Sequence, residues 1–140
     1  MQMNSAVPEQ DYLVARSLDE ALDSLAEGGR RILAGGTDIY PVSGSRLTGP
    51  VLDVMGLSEL AGISTGKGLR IGAATTWTAI AEAQLPAALN ALQVAARQVG
   101  GRQIQNAGTI GGNLCNASPA ADGAVALLAL DAEVELQSAA

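Results

Sequence analysis

The sequence predicts an α/β fold made of two small subdomains, residues 1–56 and 57–140. Three observations carry this. First, 140 residues with 48% apolar content suit one ordinary domain or two small ones with a real core. Second, short apolar runs alternate with a capped amphipathic segment in the first third. Third, hairpin chemistry followed by helical periodicity begins near Leu57. With 2% aromatic residues and no Phe, the core is built from Ala, Val, Leu and Ile.

The elements follow in order. Tyr12-Leu13-Val14 reads as a strand. Ser17-Leu18-Asp19-Glu20 fits a capping box, in which a hydroxyl and a carboxylate satisfy the free N–H groups at a helix start. Leu18, Ala21, Leu22 and Leu25 then recur at helical spacing until Gly28-Gly29 ends the run. Arg31-Ile32-Leu33-Ala34 is a buried strand that runs into Gly35-Gly36-Thr37-Asp38 and a helix start, and Val51-Leu52-Asp53-Val54 is a further strand.

In the second subdomain, Ala61–Thr65 and Leu69–Ala73 form a hairpin around Gly66-Lys67-Gly68. Thr75 and Thr76 cap a helix reaching about Ala83. Leu85, Ala88, Leu89, Leu92, Ala96 and Val99 form the apolar stripe of one further helix, closed by Gly100-Gly101. Ala124–Leu130 is a short buried helix or strand. Ala132–Leu136 alternates as a half-exposed strand, whose free edge points to a longer domain that covers or continues it.

Charge and composition remove several function classes. A formal charge of −6 repels nucleic acid and anionic membranes, so neither is expected as a partner. The single cysteine, Cys115, excludes an internal disulfide and any thiolate-ligated cluster made by this chain alone. The absence of His removes histidine general-base and histidine–metal chemistry. The N-terminal stretch lacks the apolar core of a secretory signal, and the longest apolar run, Ala124–Leu130, is too short to span a bilayer. A cytoplasmic location is expected.

Of the four Gly-Gly pairs, Gly28-Gly29 and Gly100-Gly101 follow amphipathic helices and read as helix stops. Gly35-Gly36 follows a strand and precedes Thr37-Asp38, whereas Gly111-Gly112 follows Gly108-Thr109-Ile110 and precedes Asn113. In both, the missing Cβ lets a ligand approach the main chain, and the neighbouring Thr or Asn supplies a short polar side chain. Both read as anion cradles able to hold a diphosphate between them without basic side chains. The stretch matches neither G-x-G-x-x-G nor G-x-x-x-x-G-K-[ST], which disfavours a Rossmann domain or a P-loop.

Three blocks then carry a resemblance: Ile32–Ile39, Ile71–Trp77 and Asn106–Asp122, the last ending in Ser118-Pro119-Ala120-Ala121-Asp122. They resemble, in order and over nearly the whole chain, the FAD-binding medium subunit of molybdenum hydroxylases, the xanthine dehydrogenase and carbon monoxide dehydrogenase family. Its fold is the PCMH-type FAD-binding fold shared with vanillyl-alcohol oxidase. The resemblance implies that Ile32, Leu33, Ala34, Gly35, Gly36, Thr37, Asp38 and Ile39 on one side grip the FAD pyrophosphate and ribityl chain. Thr109, Ile110, Gly111, Gly112, Asn113 and Leu114 close on them from the other. It further implies that Asp122 accepts a hydrogen bond from the flavin and that Ile39 and Leu114 touch the ring system or its edge.

By the same resemblance the chain is the flavin part of a multi-subunit oxidoreductase. Electrons come from a molybdenum cofactor on a large subunit through [2Fe-2S] clusters on a small iron–sulfur subunit, and leave to NAD, a quinone or oxygen. Lacking His, the chain would hold FAD non-covalently. Family subunits run well beyond this length, so the resemblance implies that the C-terminal part of the fold is missing from these 140 residues. Two alternatives stay open: an α/β structural or interaction fragment that binds no cofactor, and a stand-alone flavin oxidase of the same fold.

Other candidates have plainer readings. Cys115 reads as a small buried thiol serving packing. Trp77 reads as filler between layers and Asp38 as a helix cap. Asp122, leading into an apolar stretch, needs a donor or a cap.

Overall fold

The computed structural model describes residues 11–44 and 47–139. Two sheets, one parallel and one antiparallel, carry the helices in a mixed α/β arrangement. In the first, β1 (Tyr12–Val14), β2 (Arg31–Leu33) and β3 (Val51–Asp53) form a parallel sheet of order β1-β3-β2, with Leu13 and Ile32 both in register with Leu52. Parallel strands need crossover connections, and α1 (Leu18–Ala26) carries the chain from β1 to β2, the two strands that flank β3. Ser17 caps it by accepting from the Glu20 N–H, while the Glu20 carboxylate accepts from the Arg16 N–H at 2.7 Å. Gly28 and Gly29 end it in the left-handed region at φ of 82° and 80°. Leu52, fully buried at the sheet centre, packs with Ala15, Ala21, Val54 and Leu57 into one core.

The second sheet is the hairpin of β4 (Ile63–Thr65) and β5 (Leu69–Ile71), paired as the sequence predicts. Four helices assemble beside it: α3 (Trp77–Glu82), α4 (Asn90–Gln98), α6 (Ile110–Asn116) and α7 (Asp122–Ala129). Thr76 caps α3 by accepting from the Ala79 N–H at 3.2 Å. Trp77, 1% exposed, sits at the centre of a second core with Ile80, Leu92, Ala96, Ile110 and Ala126, so its packing role is confirmed.

Four expectations need correction. The stripe from Leu85 to Val99 is not one helix. Pro86 cannot continue an α-helix from Leu85, so a 3₁₀ turn at Ala87–Leu89 precedes α4. Gly100-Gly101 is more than a stop, because Gly101 is the N-cap of the unforeseen α5 (Arg102–Ala107). The Thr109–Asn113 stretch is not a glycine turn. It is the first turn of α6, capped by Thr109 Oγ1 accepting from the Gly112 N–H at 3.0 Å. Ala132–Leu136 joins no ladder among the described residues. Among these residues no helix is long and apolar enough to cross a membrane.

Between α1 and β2 on one side and α6 and α7 on the other lies a cleft of about 1000 Å³.

Candidate functional site

The two glycine blocks meet in this cleft through direct main-chain contact. An added Cβ on Gly35 would lie 1.8 Å from the Ala107 carbonyl oxygen, and one on Gly108 would lie 3.5 Å from Thr37 Oγ1. Glycine at 35 therefore joins the two halves of the site, a reason different from ligand access. Gly111 is alike: its Cβ would come within 2.7 Å of the Ala73 carbonyl oxygen. Gly36, at φ +71°, takes a left-handed turn that other residues resist, and its Cβ would press on the Tyr40 ring. Gly112 is less hemmed in, since an added Cβ would meet one atom, Thr109 Oγ1, in a tight contact at 3.0 Å.

The blocks differ in what their amides do. After β2 the chain leaves the sheet, and the N–H groups of Gly35, Gly36, Thr37 and Asp38 donate to no other group among the described residues. Consecutive unpaired amides in a turn are donors of the kind that can receive an anion. On α6 the corresponding groups are already engaged. Ile110 N–H donates to the Thr75 carbonyl at 3.0 Å, Gly111 N–H to the Ala73 carbonyl at 2.9 Å, and Gly112 N–H to Thr109 Oγ1. Of the two expected amide cradles, one is free and the other is occupied by its own chain. What α6 brings instead is Asn113, whose Oδ1 is buried with no hydrogen-bond partner among the described residues. Such a group is costly to leave bare, on the order of 1–3 kcal/mol, which marks it as awaiting a donor.

The cleft is lined by Ile32, Ala34, Gly35, Gly36, Thr37, Asp38 and Ile39 from the first block, and by Thr109, Gly111, Gly112, Asn113 and Asp122 from the second. Leu33 and Ile110, 2% and 5% exposed, point into the cores and hold the walls rather than line them. Leu114 does not line the cleft. Asp38 is at the N-cap position of α2 (Ile39–Ser43), yet its side chain makes no capping bond. Asp122 opens α7 beside the N-cap Ala121 and is exposed, so water rather than a protein donor solvates it. Its charge suits the helix N-terminus. Cys115 is exposed on the cleft wall, not buried as expected, because it falls on the outward side of α6.

Sequence reasoning missed several contributors. Ala73 anchors α6 through its carbonyl, and its nearness to Gly111 has no local sequence signal. Gly123 lies where a Cβ would meet Trp77 Cη2 at 2.6 Å and Asn113 Oδ1 at 2.8 Å, so it leaves room for both. Among the described residues, the charged side chains on the lining are Asp38, Glu59, Asp122, Glu135 and one cation, Arg70. At the edge of the parallel sheet, the Tyr12 hydroxyl donates to Asp53 Oδ2 at 2.6 Å, and that bond, helped by burial, raises its pKa well above the usual phenol range.

A glycine-lined cleft with free amides and a bare asparagine carbonyl agrees with what comparison finds. The family described as "FAD binding domain in molybdopterin dehydrogenase" matches residues 5–140. The chain is 38% identical over 134 residues to the xanthine dehydrogenase FAD-binding subunit of Escherichia coli O157:H7, covering 91% of this chain and 46% of that protein. It is 39% identical over 137 residues to the glyceraldehyde dehydrogenase medium chain of Sulfolobus acidocaldarius, covering 94% and 49%. Its fold superposes on reconstituted CO dehydrogenase from Oligotropha carboxidovorans with a TM-score of 0.73 and 32% identity, over 88% of this chain and 44% of that one. The chain thus spans about half the length of the curated relatives it matches. On these grounds the chain belongs to the family of FAD-binding domains of molybdopterin dehydrogenases.

Proposed function

We propose that this chain binds FAD non-covalently in the cleft and serves as the electron-transfer flavin module of a molybdopterin-dependent dehydrogenase. The observation that carries the reading is the run of free amides at Gly35–Asp38 beside the unpartnered Asn113 Oδ1. The residues fit the cofactor. A cleft of about 1000 Å³ is in the range of small-molecule and cofactor sites. Its acidic lining leaves main-chain amides as the natural diphosphate contact, since such donors bind anions without a cationic side chain.

In this reading Gly35, Gly36, Thr37 and Asp38 hold the diphosphate by their N–H groups. Thr109, Gly111, Gly112 and Asn113 form the facing wall, where Gly112 keeps room for close approach and Asn113 Oδ1 accepts from a polar hydrogen of the ligand. Ile32, Ala34 and Ile39 give apolar contact, Leu33 and Ile110 support the walls from the cores, and Asp122 accepts a hydrogen bond from the flavin. When bound, FAD supplies reversible one- and two-electron chemistry; the protein's part is position, orientation and exclusion of water. Residues 1–56 and 57–140 then serve as the two jaws.

The partners proposed are a large molybdopterin subunit and a small subunit with [2Fe-2S] clusters, with NAD, a quinone or oxygen as external acceptor and the cytoplasm as location. The relatives support this by being a medium chain, an FAD-binding subunit and, in Paenarthrobacter nicotinovorans, a subunit of a 6-hydroxypseudooxynicotine dehydrogenase complex. The test is titration of the purified chain with FAD, followed by flavin fluorescence and by the emission of Trp77, the chain's one tryptophan, which borders the cleft. Saturable quenching of both, reversed when heat releases the flavin, is expected. Absence of binding at any FAD concentration would favour the cofactor-free alternative.

A further inference from the structure

We propose that Arg70 steers the anionic dinucleotide into the cleft, acting on its rate of association and not on its final grip; the proposal rests on the FAD reading above. Among the described residues that line the cleft, four carry carboxylates, Asp38, Glu59, Asp122 and Glu135, and one carries a cation, Arg70. The chain as a whole has a formal charge of −6. A diphosphate approaching this opening meets a repulsive mean field, and such fields change association rates far more than they change a finished contact. Among the described lining residues, this guanidinium is the one element of opposite sign.

Its tethering suits that role. Arg70 projects from β5, with Nη2 3.5 Å from Glu135 Oε1 and Nη1 donating to the Glu59 carbonyl oxygen at 3.2 Å. The two side chains of the pair are 53% and 61% exposed, which places them at the solvent rim of the cleft. An ion pair so exposed is weak and screened, so the guanidinium is held at the rim without being neutralised in a buried contact. Its planar fork matches phosphate oxygens during the encounter. The free amides at Gly35–Asp38, not the guanidinium, then hold the ligand.

The 140-residue chain, mixed rapidly with FAD while flavin fluorescence is followed, gives association and dissociation rates separately. At low ionic strength Arg70→Gln is expected to slow association on the order of tenfold and to leave dissociation within about twofold. Arg70→Lys, which keeps the charge and loses the fork, is expected to restore the fast rate. Glu135→Gln, which removes one carboxylate and frees the guanidinium, is expected to exceed the wild-type rate. In about 1 M salt, where screening acts over about 3 Å, the four proteins should converge. Circular dichroism checks that each variant is folded. An Arg70→Gln rate equal to wild type, an Arg70→Lys rate as slow as Arg70→Gln, or a change confined to dissociation would each overturn the proposal while the FAD reading stands. Failure of the wild-type chain to bind FAD would remove both.

Discussion

Asn113 shows how a site residue can be recognised by what it lacks. Its Oδ1 is enclosed beside Gly123 and the Trp77 ring, and no donor reaches it among the described residues. A bare buried carbonyl penalises the empty protein, so Asn113→Ala should leave the melting temperature without FAD unchanged or raised, while FAD affinity falls about tenfold, or about 1.4 kcal/mol. Thermal melts paired with fluorescence titration check both halves, and parallel loss of stability and affinity would count against the assignment. Tyr12 gives a second prediction at this scale. Its bond to Asp53 favours the neutral phenol and raises the pKa, so its stabilising effect is present below the ordinary tyrosine range near pH 10 and is lost as pH rises through the raised value. In an alkaline absorbance titration, the highest tyrosinate step should vanish in Tyr12→Phe and move down in Asp53→Asn. The sequence placed Tyr12 in a strand but could not show its partner, since Asp53 lies 41 positions away.

At the scale of elements, the glycines separate structure from binding. Valine at Gly36 or Gly112 would at first sight fill a ligand cradle and spare the fold. The structure alters that expectation for Gly36, where the left-handed backbone and the Tyr40 ring make any side chain a folding defect. Gly112→Ala is the cleaner probe. Its methyl meets one side-chain atom, the capping Thr109 Oγ1, which must shift by a few tenths of an ångström, so the fold should persist with a small loss of stability while FAD binding weakens by more. Gly111→Ala and Gly35→Ala, whose methyls meet the carbonyls of Ala73 and Ala107, should destabilise the chain with or without FAD. Thr109→Ala removes the α6 cap and should cost about 1 kcal/mol in chemical denaturation. The caps at Ser17 and Thr76 were legible because each rests on a residue three positions on, and the hairpin because its strands pair across the short Gly66-Lys67-Gly68 turn. Helix α6 was not, because its first amides are satisfied by Thr75 and Ala73, more than thirty positions back, which overrides the poor helix propensity of Gly111-Gly112.

Across the whole molecule, two apolar cores, one aliphatic and one built around Trp77, flank the cleft, and a ligand touching both walls couples them. FAD at about 100 times its dissociation constant should then add about 2.7 kcal/mol to unfolding, with a matching rise in melting temperature. Trp77→Ala, which empties the centre of the second core, should cost about 3–5 kcal/mol and weaken FAD binding only through lost structure. Both glycine blocks of the site could be read from the chain, and so could the absence of basic side chains within them. Which block presents free amides could not, because that depends on contacts made by α5 and α6 after folding.

The central claim is that the amides of Gly35–Asp38 receive the diphosphate. Amide chemical shifts of the isotope-labelled chain, followed as FAD is added, test it most directly. The N–H signals of Gly35, Gly36, Thr37 and Asp38 are predicted to move downfield together and furthest, with those of Ile110, Gly111 and Gly112 moving less because they already donate within the chain. Saturation with FAD that leaves those four signals in place would contradict the account.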